Sequence, residues 1–276
     1  MYALDAKQVG HFFGSKRVLW NVNLSIPQGQ FVSVVGPSGC GKSTLLKAIL
    51  GTHPAKEGEI YATNIKITRP SRNIGIVYQH YSLYDFMTSV NNVAFGLEQD
   101  QTSLPYRLLR PFSWKKLRKT HLEQSHQMLE RVGLAVVADQ YPNQLSGGQR
   151  QRVALAQAMI MKPKLLLLDE PFGALDEATR EDLQDLMLSL HKENQIAQEK
   201  GEHPPYTVLI VTHELNEAIY LSDRIIGLSQ YHAQGEKGAT IVYDEPATAW
   251  DANSARDFTL FKEQKDAIRS IVFNEK

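Results

Sequence analysis

The chain has 276 residues, of which 42% are apolar and 22% are charged, and its 30 basic residues balance 30 acidic ones. This length allows one large core or two lobes, and the balanced charge argues against an overall field that attracts nucleic acid. No apolar stretch approaches the ~18 residues that suggest a membrane span, and the N-terminus lacks the apolar region of a signal peptide. The single cysteine, Cys40, excludes internal disulfides and fits a reducing compartment such as the cytoplasm.

The N-terminal residues predict two strands, 3–9 and 18–26, separated by a turn at Gly14 and Ser15. Phe13 immediately precedes that turn. An aromatic side chain at this position can stack on a nucleotide base, but an aromatic residue at a strand end more commonly packs in the core. The residues by themselves leave both interpretations open.

Residues 36–44 form a phosphate-binding loop of the pattern G-x-x-x-x-G-K-[ST]. An apolar run at 31–35 precedes it and a segment of helical composition at 44–50 follows, as the loop requires. We expect Lys42 to reach the β and γ phosphates of a nucleoside triphosphate and Ser43 to hold Mg²⁺. Bound nucleotide should also protect the Cys40 thiol from alkylation. The candidate ligands are Gly36, Pro37, Ser38, Gly39, Cys40, Gly41, Lys42, Ser43 and Thr44.

A further apolar run at 74–78 ends at Gln79. A polar side chain at the end of a core strand lies where ligands gather in open α/β sheets. The plainer alternative is a solvated strand end.

The pattern from 83 to about 161 is helical, and it contains a basic stretch at 101–122 without any acidic residue. This stretch also carries leucines, Phe112 and Trp114. It can lie against lipid headgroups or a membrane partner, although a solvated loop and helix is the simpler interpretation.

Leu-Ser-Gly-Gly-Gln at 145–149 leads into a predicted helix at 150–162. Ser146 is a favourable N-cap, but two glycines directly after a cap weaken a helix. Close approach of an anion to the helix N-terminus explains them. The chain then has two phosphate-binding helix starts, so one ATP held between two protomers would use both.

Acidic and histidine side chains follow two further predicted strands. The run at 165–168 ends in Asp169 and Glu170, of which the first can hold Mg²⁺ and the second can orient the water that attacks the γ phosphate. The strand at 207–211 is followed by Thr212 and His213, and the histidine can donate to a γ-phosphate oxygen. A helix is predicted at 177–192, a polar surface loop at 194–206, a strand at 224–228 and a terminal helix at about 257–273.

The phosphate loop, Gln79, the motif at 145–149, Asp169-Glu170 and His213 resemble, in order and spacing, the ATP-binding subunit of an ABC transporter. The resemblance covers nearly the whole chain. It implies an α/β fold: a P-loop NTPase (RecA-like) core at 1–84 and 156–276, with an N-terminal antiparallel β subdomain and an inserted α-helical subdomain at about 85–155. It implies no additional regulatory domain.

The resemblance also implies roles for the nucleotide contacts. Phe13 stacks on adenine, and Asp176 bridges two protomers. The γ phosphate of ATP on the opposite protomer is contacted by the signature residues Ser146, Gly147, Gly148 and Gln149.

For catalysis, the resemblance implies that Glu170 is the base and His213 the γ-phosphate clamp, supported by Lys42. Gln79 senses Mg²⁺ and the attacking water. The metal is then held by Ser43, Gln79 and Asp169.

As partners, the resemblance implies a transmembrane permease, a second ATP-binding subunit, and indirectly a solute-binding protein, at the cytoplasmic face of the inner membrane. The size and motifs are most similar to the nitrate, sulfonate, taurine and bicarbonate importers. The chain departs from that group in the basic stretch at 101–122, in the long loop before Tyr206 and at 230–238. The transported solute therefore remains open. Whether the second subunit is identical is also open.

Three other interpretations remain open: a non-transport ABC ATPase acting on nucleic acid, a regulatory nucleotide switch, and the motor of an exporter. The neutral charge argues against nucleic acid as a partner, and the intact Glu170 and His213 argue against a switch without turnover.

Overall fold

The fold is taken from a computed structural model in which residues 1–80, 82–230, 238–248 and 258–273 are described. The strands are β1 (Tyr2–Phe13), β2 (Lys16–Pro27), β3 (Phe31–Val35), β4 (Glu57–Ala62), β5 (Ile65–Lys66), β6 (Ile74–Val77), β7 (Leu165–Asp169), β8 (Val208–Val211), β9 (Arg224–Leu228) and β10 (Ile241–Pro246). The helices are α1 (Lys42–Leu50), α2 (Ser89–Gln101), α3 (Leu104–Leu109), α4 (Pro111–Arg131), α5 (Gly147–Met159), α6 (Glu177–Glu199), α7 (Leu215–Leu221) and α8 (Phe258–Ile268). A short π-helical turn, Arg269–Phe273, follows α8.

A six-stranded sheet of order β10-β9-β3-β8-β7-β6 forms the centre of the α/β layer. Strand β3 pairs in parallel with β8 and β9, and β8 pairs in parallel with β7. Every residue of β3 and β8 is buried, as expected of parallel strands that are covered on both faces. Val35 packs with apolar residues of α7, α8 and the π turn.

The N-terminal residues form a separate antiparallel sheet of order β2-β1-β4-β5. The two predicted N-terminal strands are present and are longer than the sequence indicated, because the pairing of β1 with β2 continues from Tyr2↔Pro27 to Phe13↔Lys16. Alternate residues of β2 are buried over much of its length, which is the pattern of a sheet with one covered face.

The segment after β6 is helical, as predicted. Helices α2, α4 and α5 surround a core built from Val93, Leu129, Leu134, Val153 and Ala156, each buried to within a few per cent. None of the helices in the described ranges is both long and apolar enough to cross a bilayer.

The chain divides into two compact units, which are described separately. The first contains Met1–Ile76, Lys164–Pro171 and Met187–Lys276, and the second contains Val77–Pro163 and Phe172–Leu186. These bounds differ from the predicted core and helical subdomain, and the predicted domain division remains a prediction.

Helix α6 is longer than predicted. Residues 194–199 were predicted to belong to a polar loop, but the helix continues to Glu199. The buried amide of Asn194 explains the extension: its Nδ2 donates to the carbonyls of Gly29 (2.8 Å) and Tyr206 (2.6 Å), and its Oδ1 accepts from the Tyr206 N–H (3.0 Å). Long-range contacts of a polar residue are invisible to a local pattern.

Two further boundaries differ from the predictions. Helix α5 begins at Gly147, not at Arg150, because Ser146 caps it. The predicted terminal helix is present from Phe258, and Asp257 lies outside the described residues. Residues 231–237, within the segment 230–238 that departs from the importer group, also lie outside the described residues.

Candidate nucleotide-binding site

The loop between β3 and α1 has the close-packed backbone that the phosphate-binding pattern predicts. A Cβ on Gly36 would stand 2.7 Å from the carbonyl oxygen of Leu228, and Gly41 has a φ of +114°, so only glycine fits either position. Gly41 caps α1 with no side-chain hydrogen bond, and the first turn of the helix carries no acidic residue. The N–H groups of this turn are therefore oriented to receive an anion.

The Lys42 ammonium lies across the loop. Its side chain is buried, and its Nζ donates to the carbonyl oxygens of Gly36 (2.7 Å) and Pro37 (3.0 Å). Both of these hydrogen bonds go to uncharged carbonyls, although the charge of the ammonium also acts on Asp169. A buried ammonium is stabilised by an anion, and a phosphate group would supply one in place of the carbonyls.

The Cys40 thiol lies inside the loop and is fully buried. Its Sγ is 4.0 Å from Lys42 Nζ and 2.9 Å from the position of a Gly36 Cβ. Burial raises the pKa of the thiol, and the charge of Lys42 opposes this shift only in part. The fold itself therefore already shields the sulfur, and the expected protection by nucleotide remains a prediction.

Strand register brings the predicted acids and the histidine to the edge of the sheet where the loop lies. Val211 of β8 pairs with Val34 on one side and with Asp169 on the other. The Glu170 N–H donates to the Val211 carbonyl (2.8 Å), and the Thr212 N–H donates to the Val34 carbonyl (3.2 Å). Three neighbouring parallel strands thus end at the same level.

The Ser43 hydroxyl lies close enough to Asp169 to favour the charged form of its carboxyl group. Burial, and then the neighbouring charge of Glu170, raise the pKa of Asp169, while Lys47, Lys42 and Ser43 oppose the increase. A hydroxyl and a carboxylate are the oxygen donors that Mg²⁺ prefers, so these two residues fit the predicted metal. Gln79, the third predicted ligand, belongs to the other compact unit, in the bend just after β6.

Glu170 has a left-handed backbone conformation with φ of +46°. For a residue other than glycine this costs about 1–2 kcal/mol, and such strain is concentrated at functional sites. His213 Nδ1 lies 3.4 Å from Glu170 Oε1, and its Nε2 lies 3.5 Å from Glu214 Oε1. The structure therefore pairs the two residues that were predicted to act on the γ phosphate.

Two residues that the sequence did not single out as site residues hold this histidine loop. Thr212 Oγ1 donates to Glu217 Oε2 (3.0 Å) and accepts from the Glu214 N–H (3.0 Å). Both Thr212 and Glu217 are buried. In the sequence, the only sign of this contact is a threonine followed five residues later by a glutamate at the start of a helix. Such a pair is common, so it does not predict the contact without the tertiary structure.

Phe13 is half exposed at the end of β1. Its ring centroid lies 4.8 Å from that of His11 and 6.5 Å from that of His53, which follows α1. The ring is not buried in the core, so it is accessible to a ligand.

The signature residues form a helix cap in the second unit. Ser146 Oγ accepts from the Gln149 N–H (3.2 Å), and Gln149 Oε1 accepts from the Ser146 N–H (2.9 Å). This reciprocal capping box satisfies two backbone donors. Gln149 therefore has a structural task, in addition to the contact predicted for it.

Gly148 is required by a packing contact within the chain. A Cβ there would stand 1.6 Å from Thr179 Cγ2. Thr179 is in turn fixed by Asp176, whose carboxylate accepts from the Thr179 hydroxyl (2.8 and 2.7 Å) and N–H (3.0 Å). These hydrogen bonds lower the pKa of Asp176. The signature helix and the turn at Asp176, separate in sequence, are thus joined through Thr179.

Comparison with known proteins decides the family. The family model described as "ABC transporter" matches residues 19–173, more than half of the chain. The chain belongs to the ABC transporter family. Phe13, Asp176 and His213 lie outside the matched residues of this ABC transporter chain, and their roles remain predictions.

Curated relatives of this ABC transporter chain include sulfate/thiosulfate import ATP-binding proteins named CysA. The Acinetobacter baylyi protein is 39% identical over 251 residues, covering 89% of this chain and 65% of the relative. The Escherichia coli K12 protein is 40% identical over 249 residues, covering 89% and 63%, and the Methylococcus capsulatus protein is 36% identical, covering 98% and 73%. The chain thus spans roughly two thirds of their length. These relatives do not support the predicted nitrate, sulfonate, taurine and bicarbonate group.

Solved structures agree on the fold. A dimeric post-hydrolysis state of the ATP-binding cassette MJ0796 bound to ADP and Pi has a TM-score of 0.68 and 30% identity, covering 90% of this chain and all of that one. The cbiO1 protein of Clostridium perfringens has a TM-score of 0.70 at 22% identity, which shows the fold alone. The predicted α/β P-loop NTPase fold is confirmed.

A first prediction concerns Cys40. Because its thiol is buried and its pKa is raised, iodoacetamide should modify it at least about tenfold more slowly in the folded chain than in urea. The rate in the folded chain should be slow with and without nucleotide, as followed by mass spectrometry. Rapid modification that nucleotide suppresses would restore the original expectation.

A second prediction concerns Gly148. Alanine normally stabilises a helix by about 1 kcal/mol relative to glycine, but the clash with Thr179 should make Gly148→Ala destabilising by about 1–3 kcal/mol. Adding Thr179→Ser removes the clashing methyl group and should recover most of the loss. The measurement is the urea unfolding midpoint, with Thr179→Ser alone as the matched control. An unchanged midpoint in Gly148→Ala would show that the contact is absent.

Proposed function

We propose that the chain is the ATP-hydrolysing subunit of a membrane importer. The observation that carries this proposal is the meeting of Glu170 and His213 beside the Lys42 loop at one edge of the parallel sheet. Residues for binding, for orienting water and for clamping a phosphate are needed together only if the γ phosphate is cleaved.

In the proposed mechanism, Lys42 exchanges its loop carbonyls for the β and γ phosphates of ATP. The N–H groups of the loop and of the first turn of α1 bind the remaining phosphate oxygens. Phe13 stacks on adenine through its exposed face. Mg²⁺, held by Ser43, Asp169 and Gln79, would neutralise charge on the phosphates.

Glu170 orients the attacking water and accepts its proton. His213, 3.4 Å from the Glu170 carboxylate, holds that carboxylate in place and donates to a γ-phosphate oxygen. The strained backbone of Glu170 fixes the direction of its side chain before ATP arrives.

A second ATP-binding subunit completes the site in this proposal. Its Ser146, Gly147, Gly148 and Gln149 would contact the γ phosphate from the opposite side, and its Asp176 would bridge the two subunits. ADP lacks the phosphate that links the two surfaces, so hydrolysis would release them. The dimeric state of the MJ0796 cassette supports this arrangement.

The proposed partners are a transmembrane permease, which converts closure of the dimer into alternating access, and a solute-binding protein that serves the permease. The chain would then be peripheral at the cytoplasmic face of the inner membrane. A regulatory switch without turnover is the second candidate, and an ATPase measurement separates the two.

The test of the mechanism is Glu170→Gln. Without its base, the chain should retain ATP affinity, form ATP-stabilised dimers in size-exclusion chromatography, and lose turnover by about 10²–10⁴-fold. Glu214→Gln changes the carboxylate on the other side of His213 and is the matched control, with a much smaller expected effect. Lys42→Ala should instead lose nucleotide affinity. Wild-type turnover in Glu170→Gln would remove this residue from the mechanism.

For the solute, we propose a tetrahedral sulfur oxyanion such as sulfate or thiosulfate, supported by the CysA relatives. Cells that lack the chain should lose uptake of labelled sulfate or thiosulfate and regain it with the wild-type gene, but not with Glu170→Gln. Loss of nitrate, taurine, sulfonate or bicarbonate uptake instead would favour the group indicated by the sequence. Impaired efflux would identify an exporter.

A further inference from the structure

Helix α3 and residues 110–122, which lead into and begin α4, are called the basic hairpin. The ATPase mechanism proposed above uses none of its residues. The stretch 101–122 carries six cationic side chains and no carboxylate, although the whole chain is neutral. Ser103 caps α3 by accepting from the Tyr106 N–H, and Pro111 begins α4. The hairpin is therefore a folded element.

Polar contacts hold the hairpin to the neighbouring helix α2. Arg107 donates to the Glu98 carbonyl (2.6 Å) and to Thr102 Oγ1 (2.9 Å). Arg118 donates to Glu98 Oε1 (3.2 Å) and to Asn91 Oδ1 (3.1 Å). The guanidinium of Arg107 also lies 4.7 Å from the centroid of the Trp114 ring. These cations are committed to internal contacts.

Four apolar side chains of the hairpin face solvent. Leu104, Leu108, Leu109 and Phe112 are 72%, 80%, 81% and 89% exposed. A surface helix normally buries its apolar side and exposes its polar side. The first part of the hairpin departs from this rule: Leu122 packs against the helical core, whereas three leucines and a phenylalanine near the turn are displayed. Such an exposed apolar group marks an interaction surface.

Free cations border the apolar side chains. Lys115 and Lys116 are exposed, and no carboxylate of the described residues pairs with either of them. Arg110 is also exposed, with its guanidinium 6.0 Å from the Tyr106 ring centroid. Lys119 is the exception, because it pairs with Glu123 at 3.8 Å. The surface thus combines exposed leucines, cations without a carboxylate partner and three aromatic rings within fifteen residues.

We propose that the basic hairpin docks on the surface of an anionic lipid bilayer. Leucine and phenylalanine tips can enter the boundary between headgroups and acyl chains, while lysine and arginine reach the phosphates. Tyrosine and tryptophan favour the same boundary. A protein partner would need an acidic and apolar face in the same geometry, whereas an anionic bilayer presents both chemistries everywhere. The proposal does not depend on ATP hydrolysis.

The experiment is co-sedimentation of the full chain with protein-free vesicles. One set is made of phosphatidylcholine alone, and the other also contains anionic phosphatidylglycerol. Binding should be detectable only with the anionic vesicles, and it should weaken as salt is added because the attraction is screened. Because these vesicles carry no permease, binding to them identifies lipid as the source.

Two variants test the contributions of the cations and of the apolar side chains to vesicle binding. Lys115→Gln with Lys116→Gln should weaken binding by roughly 30-fold, about fivefold for each lysine near an anionic surface. Lys192→Gln with Lys200→Gln removes the same charge from two exposed positions, one in α6 and one directly after it, and is the matched control.

For the apolar contribution, Phe112→Ser should weaken binding about tenfold, while Val136→Ser, at an equally exposed residue (92%), should not. Far-UV circular dichroism checks that every variant is folded.

Equal binding to neutral and anionic vesicles, or no binding to either, overturns the proposal. If the chain binds neither kind of vesicle but captures a membrane subunit through Phe112, the hairpin would be a docking surface for protein. A charge effect that the α6 control pair reproduces also overturns it, because the attraction would then not belong to the hairpin. Failure of this test leaves the ATPase proposal untouched, because the Glu170→Gln assay needs no membrane.

Discussion

The register of three neighbouring parallel strands holds the candidate site together. Strand β8 pairs with β3 on one side and β7 on the other, so Val34, Val211 and Asp169 lie at one level. Everything that follows these residues in the chain is therefore delivered to the same edge: the phosphate loop, Glu170 and His213. A slip of one residue in any pair would turn the side chains to the opposite face. The two backbone hydrogen bonds beyond the last paired residues, from Glu170 and Thr212, resist that slip.

Tight backbone packing and strain accompany this register. Gly36 lies against the Leu228 carbonyl, and Glu170 has a left-handed backbone. Both features cost conformational freedom or energy, and neither improves the core. They place donor groups and a carboxylate before a ligand is bound, which is the preorganisation that electrostatic catalysis needs. The buried Lys42 fits the same account, because its ammonium is already removed from water and phosphate can replace its carbonyl partners.

The glycines of the signature motif have two physical explanations that do not compete. The anion explanation follows from the helix N-terminus, and the packing explanation follows from the contact between Gly148 and Thr179. Thr179 also satisfies Asp176, so one small side chain sets the spacing between the signature helix and the turn before α6. The basic hairpin is of a different kind: four of its apolar side chains are exposed among the described residues, which fits the bilayer contact that we propose for it.

The sequence by itself determined the phosphate loop and the acidic and histidine candidates, and its resemblance to a known family implied the fold class. These features depend on local rules: glycine spacing, apolar runs that end in polar residues, and a capping motif. Even Ser146 was recognised as a cap from its neighbours alone. The comparison with CysA relatives, in contrast, did not support the solute group that the motifs indicated.

Only the tertiary structure decided what depends on contacts between distant residues. The pairing of Glu170 with His213, the packing of Thr179 on Gly148 and the extension of α6 through Asn194 all join parts of the chain that are far apart in sequence. The burial of the Cys40 thiol was not visible in the sequence either. The outward display of Phe112 has the same origin. A periodic pattern identifies which residues share a helix face, but the side of the helix that meets the protein is settled by the hydrogen bonds and packing of its neighbours.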